Sequence, residues 1–369
     1  MKVAIKVGAL ILVGALALNA CSSASTSSST KSLESAIDIK DAVLTNMSGD
    51  CADYASNYTA SVQDLKLGTE FQGAVTVAED SNSCSIVAND IPNYDFNDEN
   101  AHFATPVTEQ NLTLSIPRNP KAANASSDLS LLSYNAVMLN GVVLDQVANG
   151  CYKPEDASAD QDGNVANGCG LWVDWRLNPM GPVSLGTDSH NAHTQPDGLY
   201  HYHANPNALF DLTRNDVASP VIGFAADGFP IYGPFYKDDK SGNIVEATSG
   251  YTLKSGTRPT SDTSPGGNYD GTYVQDYEFT NAGTLDKCNG MTVNGQYGYH
   301  VSTGYPYVMG CFTATPDVSF FRFYGIIGWV IGGLAIVLAI IAGFVTWMIR
   351  RKRFKSRGKK PTTKKESKS

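Results

Sequence analysis

Four of the six histidines in this 369-residue chain fall within sixteen positions, residues 188–203. The four are His190, His193, His201 and His203, and the other two are His102 and His300. Neutral imidazole binds transition metals, and its charge changes near neutral pH, so this grouping indicates a chemical role. We predict a site for Zn²⁺ or Cu²⁺ built from the four clustered side chains, with His300 as a fifth candidate ligand.

The spacing of His201 and His203 suits two ligands on one strand. Side chains alternate between the faces of a strand, so the two histidines point one way and Tyr200 and Tyr202 point the other. The preceding segment, residues 196–198, reads Pro-Asp-Gly and predicts a turn that brings the other two histidines close. Three carboxylates are predicted to orient a ligand or to act in acid–base steps: Asp188, Asp197 and Asp227.

Other interpretations of the same residues stay open. Alternating His and Tyr on a half-buried strand also form an aromatic ladder that needs no metal. The domain is alternatively a metal-independent binding or adhesion module for glycans or proteins, or a hydrolase that uses Asp227 and one imidazole as acid and base. No HExxH, GxSxG or P-loop motif occurs, so no reaction follows from the motifs. His102 is predicted to be a surface residue.

The N-terminus has the pattern of an export signal. Residues 1–20 combine two lysines, an apolar run and small residues, which predicts a signal sequence. The segment Leu18-Asn19-Ala20-Cys21 resembles a bacterial lipobox, so we predict that Cys21 is lipidated and that the chain is a lipoprotein. Residues 21–40 begin with a Ser/Thr-rich run and are interpreted as a flexible tether.

The C-terminal region predicts a membrane anchor. Residues 325–349 contain no charged side chain and are long enough to cross a bilayer as one transmembrane helix. Residues 350–369 carry 11 Lys/Arg against a single Glu, which favours a cytoplasmic tail and an extracytoplasmic N-terminal domain. The sequence therefore predicts a single-pass membrane protein in contact with membrane lipid.

The formal charge of the chain, −9, is unevenly distributed. Without the two terminal basic regions, residues 22–321 carry −22. Such an acidic domain argues against nucleic acid as a partner and is compatible with a cation.

Cysteine usage agrees with an oxidising compartment. Apart from Cys21 there are six cysteines, an even number: Cys51, Cys84, Cys151, Cys169, Cys288 and Cys311. Six cysteines allow 15 pairings, of which we favour the three that join sequence neighbours. No CxxC pair occurs, so thiol redox or zinc-ribbon chemistry has no support.

Residues 41–320 are predicted to form one mainly β ectodomain, a β-sandwich or an irregular barrel. Short alternating apolar runs are separated by Gly, Pro, Asn and Asp, and Asn140-Gly141 is a strong hairpin signal. One short helix is predicted within Leu33–Met47. Strands are predicted, among other places, at Gly170–Val173, Leu199–His203, Val221–Ala225, Tyr273–Phe279 and Tyr297–Ser302.

The residues Gly198-Leu-Tyr-His-Tyr-His203, with Asn191-Ala-His-Thr-Gln-Pro196 before them, resemble the YHYH domain family. Three further segments fit the same family pattern in the expected order: residues 136–145, 222–234 and 299–312. The resemblance runs from about residue 86 to residue 312. It implies an exported or surface-associated domain, and the family brings no established reaction with it.

Overall fold

The computed structural model describes residues 36–322 and, beyond them, residues 341, 344 and 346–348. The predicted signal sequence, Cys21, residues 21–35 of the tether, most of the predicted membrane span and the whole basic tail lie outside the described residues. The five described residues within 325–349 are helical and exposed. Among the residues described, no helix has the length and apolar character needed to cross a membrane.

The chain folds mainly into short strands, as its alternating apolar runs predict. In chain order the strands are β1 Ile37–Asp38, β2 Ser56–Asp64, β3 Thr69–Glu79, β4 Ser83–Ala88, β5 Leu112–Pro117, β6 Ser127–Asp128, β7 Ala136–Met138, β8 Val143–Leu144, β9 Cys151–Tyr152, β10 Asn164–Val165, β11 Ala192–Thr194, β12 Tyr200–Tyr202, β13 Val221–Ala225, β14 Pro230–Tyr232, β15 Phe235–Lys237, β16 Ile244–Glu246, β17 Tyr251–Leu253, β18 Tyr277–Phe279, β19 Gly290–Val293, β20 Gln296–His300 and β21 Cys311–Phe312. The 3₁₀ helices are Cys51–Tyr54, Asn207–Leu209, Val274–Asp276 and Val318–Phe320.

The first sheet contains β1 to β5 in sequence order. Strand β1 pairs with β2 in parallel, and the other neighbours are antiparallel. Along β3 every second residue is buried, namely Gly73, Val75 and Val77, while the residues between them are exposed. This period of two directs one face of the sheet into the apolar core.

The second sheet has the strand order β11-β12-β8-β7-β13-β14-β20-β19 and carries the YHYH segment near one edge. Its inner strands β7, β8 and β13 are buried at every residue, so both of its faces are covered there. Gly141, between β7 and β8, lies against the first sheet. Its φ is +88°, and an added Cβ would lie 2.6 Å from Val75, so this close approach requires glycine.

Within the described residues neither large sheet closes on itself, so the irregular barrel allowed by the sequence is not formed. The remaining strands form two-stranded pairs: β9 with β10, β15 with β16, β17 with β18, and β6 with β21. Three disulfides join sequence neighbours, which confirms the predicted pairing: Cys51–Cys84, Cys151–Cys169 and Cys288–Cys311. The mainly β, disulfide-bonded class is therefore confirmed.

Local predictions succeed where alternation is regular. Strand Val221–Ala225 has the predicted bounds, the Leu199–His203 and Tyr297–Ser302 predictions overlap β12 and β20, and the Asn140-Gly141 turn joins a hairpin. The helix predicted within Leu33–Met47 is wrong in its described part, residues 36–47. There β1 pairs with β2 and Asp41 has a φ of 55°, a conformation that no α-helix accommodates.

Two other predicted strands need correction. Residues 170–173 form a loop, because Gly170 has a φ of +77° and Trp172 is almost fully exposed. Tyr273–Phe279 begins as a 3₁₀ turn, and only its last three residues form a strand, β18. The Asp276 carboxylate accepts the backbone N–H groups of Gly271 and Tyr273, which stabilises that turn.

Candidate metal centre

Three histidines converge on one side of the β11–β12 pair. His193 and His201 are opposite each other in the antiparallel register, and His203 follows β12 on the same face as His201. The Nε2 atom of His203 lies 3.1 Å from Nε2 of His201 and 2.9 Å from Nε2 of His193. Ligand atoms of the three side chains all lie within 4.8 Å of one another. We call these three residues the triad.

The turn between β11 and β12 fixes the triad's register. The N–H of Gln195 donates to the carbonyl of Leu199, and the N–H of Gly198 donates to the carbonyl of Gln195. Gly198 has a φ of +84°, and an added Cβ would lie 2.5 Å from Thr108 Oγ1. Glycine is therefore required at this turn, which the sequence predicts from residues 196–198.

Backbone carbonyls determine where two of the triad's three rings hold their protons. His193 Nδ1 lies 2.6 Å from the Leu185 carbonyl oxygen, and His201 Nδ1 lies 3.4 Å from that of Leu199. A carbonyl oxygen only accepts, so in the neutral ring Nδ1 carries the proton and Nε2 presents its lone pair. His203 Nδ1 is buried beside the Gln146 backbone without a hydrogen bond of ordinary geometry. His193 and His201 are therefore in the tautomer in which a histidine binds metal through Nε2.

Burial keeps the triad uncharged at neutral pH. Desolvation lowers the pKa of His193, and it lowers the pKa values of His201 and His203 well below the ordinary range. For His201 the nearby imidazoles lower the pKa further, because two like charges at this distance repel. The three rings are thus in the neutral form that metals bind.

A pocket of about 510 Å³ opens beside the triad, and all three of its histidines line that pocket. Besides the triad, polar residues line it, among them His102, Asn149, Gln195 and Arg322. A metal held by three imidazoles here would have space for a further ligand from the pocket, as in catalytic zinc sites. His102 is exposed as predicted, but it also belongs to this pocket because its N–H donates to the Gly186 carbonyl. No sequence pattern indicates that long-range contact.

A family model described as YHYH protein matches residues 113–314, which is more than half of the chain and contains the whole triad. The chain belongs to the YHYH protein family. Comparisons with curated proteins and with solved structures found no match. The family is therefore established, while the chemistry of this YHYH domain has to be argued from the site itself.

The buried carboxylate of Asp145 supports one wall of the pocket beside the triad. Asp145 Oδ2 accepts from Gln195 Nε2 at 2.7 Å and forms an ion pair with Arg322. The Arg322 guanidinium also lies over the Tyr134 ring, 4.9 Å from its centroid. Asp145 thus connects Arg322, at the C-terminal end of the domain, to Gln195, two positions after His193.

The other two histidines predicted as ligands lie outside the triad. His190 stacks on Tyr94, with 3.8 Å between ring centroids, on the opposite side of β12. His300 lies in a different pocket and stacks on Tyr232 at 5.0 Å. The structure thus brings together three of the five predicted imidazoles, and the strand pairing is what selects them.

The three predicted carboxylates have structural partners away from the triad's pocket. Asp188 accepts from Tyr200 Oη at 2.7 Å, and Asp197 accepts from the Leu199 backbone within the turn. Asp227 accepts from Tyr299 Oη at 2.6 Å and from two backbone N–H groups, those of Thr313 and Ala314. None of the three lines the pocket, so the pairing of Asp227 with an imidazole is not formed there.

The tyrosines of the YHYH segment face a closed hydrogen-bond network. Tyr202 Oη lies 2.6 Å from Tyr94 Oη and accepts from Asn140 Nδ2 at 3.0 Å. Tyr200 Oη lies 3.3 Å from Tyr94 Oη in addition to donating to Asp188. Every tyrosine hydroxyl in this network has a partner, as buried polar groups in a stable core require.

Proposed function

We propose that this YHYH protein binds a transition-metal ion, Zn²⁺ or Cu²⁺, through His193, His201 and His203. The observation that carries the proposal is the convergence of three Nε2 atoms, two of them on rings, His193 and His201, whose carbonyl contacts place the proton on Nδ1. Nitrogen lone pairs that face each other at this distance repel, and a cation between the three rings turns that repulsion into coordination. An all-imidazole ligand set suits zinc and copper.

The metal-free ladder explains the triad less well. A ladder is stable when donors face acceptors, but Nε2 of His203 contacts both neighbouring Nε2 atoms. The carbonyl contacts put the protons of His193 and His201 on Nδ1, so at most one of the two Nε2 contacts is a hydrogen bond, with His203 Nε2 as its donor. That tautomer leaves the buried Nδ1 of His203 as an acceptor without a partner. The open pocket also supports an enzymatic role, because a bound metal there would supply Lewis-acid activation of water or substrate. Turnover of ester or phosphoester probes that disappears with His193→Ala would establish that role.

Elemental analysis tests the metal proposal directly. The full chain, purified without a polyhistidine tag, is expected to contain close to one equivalent of zinc or copper. We expect His193→Ala to lower metal affinity by at least about 100-fold, since losing even a supporting partner of a ligand costs about 10- to 100-fold. His193 is the partly exposed member of the triad, so this variant is the least disruptive to folding.

His190→Ala is the matched control. It removes an imidazole three positions away in sequence that does not contact the triad, so its metal content should equal that of the original chain. A folded chain with no zinc or copper after reconstitution contradicts the proposal. Equal metal loss in both variants would also contradict it.

We also propose that residues 325–349 anchor the YHYH domain in a membrane and that the domain is exported. The apolar 25-residue segment and the basic residues after it support a single-pass anchor with a cytoplasmic tail. Residues 1–20 would direct export, residues 21–40 would tether a domain covering 41–320, and the two large sheets would form a β-sandwich. Three disulfides support an oxidising compartment.

Fractionation and lipid labelling test the location. The full chain should resist alkaline extraction from membranes, and deletion of residues 325–349 together with Cys21→Ser should release it. Cys21→Ser alone should abolish incorporation of a labelled fatty acid. An unlabelled original chain would contradict lipidation, and a chain extracted by alkali would contradict the anchor.

A further inference from the structure

We propose that the pocket around His300 is a second binding site and that it takes one neutral sugar ring, such as the terminal residue of a glycan. The pocket has a volume of about 410 Å³, within the range of small-molecule sites. It shares no lining residue with the pocket beside the triad. The inference therefore does not rest on metal binding.

Aromatic rings form the walls of this second pocket. Tyr232 and His300 are opposite each other on the parallel strands β14 and β20, and their rings stack at an interplanar angle of 19°. Tyr236, on β15, meets the His300 ring edge-to-face at 6.0 Å. Met47 and Gly49 of the N-terminal segment close another side. The result is a rigid cleft with flat apolar surfaces, which suits the C–H face of a sugar ring.

His300 offers an unused hydrogen-bond acceptor to the cleft. Its side chain is 3% exposed, and Nδ1 faces the Gly233 carbonyl at 3.3 Å, so Nε2 has the lone pair. Within residues 36–322, Nε2 makes no hydrogen bond. Burial lowers the pKa of His300 to about 4, which keeps the ring neutral. His300 lines the pocket, so this nitrogen is available to accept a hydrogen bond from a hydroxyl group of a ligand.

Two tyrosine hydroxyls in the same pocket are also unpaired. Neither Tyr232 nor Tyr236 makes a hydrogen bond through its hydroxyl within the described part of the chain. The buried hydroxyls of Tyr200, Tyr202 and Tyr299, in contrast, all have partners. Free hydroxyls next to a free imidazole nitrogen match the mixed donors and acceptors of sugar hydroxyl groups.

The rim of the cleft favours a neutral ligand over an anion. Lys237 lines it and has no ion pair among the described residues. Asp239, two residues later, accepts from the N–H of Asn294, another lining residue, so a negative charge lies close by. Amide side chains of Asn294 and Gln296 complete the rim. The positive charge of Lys237 and the negative charge of Asp239 offset each other, so the rim attracts neither an anion nor a cation strongly.

Saturation-transfer NMR with free monosaccharides tests this site on the full chain. The detergent must have a headgroup that is not a sugar, and the probes are glucose, galactose, mannose and N-acetylglucosamine at millimolar concentration. At least one probe should receive saturation. Tyr232→Phe keeps the ring and removes one hydroxyl, and it should weaken binding of that sugar about tenfold, as the loss of one hydrogen bond predicts.

Three controls make the outcome decisive. Gln296→Ala at the exposed rim should weaken binding without affecting folding, and Lys240→Ala, an exposed lysine outside the pocket, should not change it. Chelator and His193→Ala should leave sugar binding unchanged, which separates this site from the metal proposal. No saturation of any probe overturns the inference. Binding that is unchanged in both Tyr232→Phe and Gln296→Ala also overturns it. Binding that requires metal, or that is confined to charged sugar acids, overturns it as well.

Discussion

The two faces of β12 use the same four-residue segment for different purposes. On one face, His201 and His203 meet His193, the Nε2 atoms of the other two rings lie within 3.1 Å of His203 Nε2, and the buried Nδ1 of His203 has no hydrogen-bond partner. On the other face, Tyr200 and Tyr202 meet a network in which each hydroxyl has a hydrogen-bond partner. Both faces are buried, so burial alone does not distinguish them.

The difference lies in whether the protein satisfies its own polar groups. The tyrosine face is complete and needs nothing from outside, so its contribution is to the stability and position of the strand. The histidine face is incomplete and adjoins an open pocket. A buried group left unsatisfied costs free energy that only a ligand can return, so function is expected on the histidine face.

Metal removal should produce the largest effect and only through the histidine face. A ligand that binds only the folded state stabilises it, by about 2.7 kcal/mol when the free metal is at 100 times its Kd. Thermal unfolding of the metal-loaded chain should therefore occur at a lower temperature after chelation, and saturating Zn²⁺ should restore it. The measurement is a calorimetric or fluorescence melt of the full chain.

His193→Ala provides the control for that measurement. The variant should unfold at the same temperature with and without Zn²⁺, because one of three ligands is missing. If the variant shifts as much as the original chain, the stabilising metal binds elsewhere and the comparison between the two faces fails.

Tyr202→Phe should give the next largest effect and the opposite pattern. It removes a hydroxyl that is bonded to Tyr94 and Asn140, and leaving these buried groups unpaired should lower the free energy of unfolding by about 1–3 kcal/mol. Metal content should stay the same. Denaturant unfolding together with elemental analysis measures both quantities, and a loss of metal in this variant would show that the faces are not independent.

The division of β12 into two faces could be predicted from the sequence. Which histidines converge could be predicted only in part. A strand has a period of two, so residues 200–203 divide into His and Tyr sides in any β context. The Pro-Asp-Gly turn before them brings His193 opposite His201, and local disulfides follow from sequence proximity. These features depend on residues less than about 35 positions apart.

The rest depends on contacts between distant segments. His190 leaves the cluster because Asp188 accepts its backbone N–H in a tight turn, which directs the ring onto Tyr94 nearly 100 residues earlier. His300 is fixed by the pairing of β20 with β14, on the far side of the second sheet. His102 reaches the pocket beside the triad through a backbone hydrogen bond to Gly186. No local pattern encodes these pairings.

Asp188→Asn should change the pH dependence of stability without changing metal content. Burial raises the pKa of Asp188 above its usual 3.8 despite the hydrogen bond from Tyr200. Below pH 3.8 both the folded and unfolded states are protonated. As pH rises through the raised pKa, the unfolded state has already released its proton, so ionisation reduces stability.

The asparagine variant lacks this titration but keeps an oxygen that accepts from Tyr200. As pH rises above 3.8, the free energy of unfolding of the original chain should therefore fall relative to that of the variant. The difference should level off once the carboxyl is ionised in the folded state as well. Denaturant unfolding at a series of pH values measures it. A difference that is constant with pH would mean that the carboxyl is not protonated preferentially in the folded state.

The smallest effect is expected for His190→Ala, and it separates the two faces most sharply. His190 belongs to the sixteen-residue cluster by sequence but to the tyrosine face by position. Losing its stack on Tyr94 should lower the free energy of unfolding by about 0.5–1 kcal/mol, the range for one aromatic pair that is not fully buried. The added stability from Zn²⁺ should equal that of the original chain. If zinc no longer stabilises this variant, His190 supports the metal site from behind the strand, and the division into a structural and a functional face does not hold.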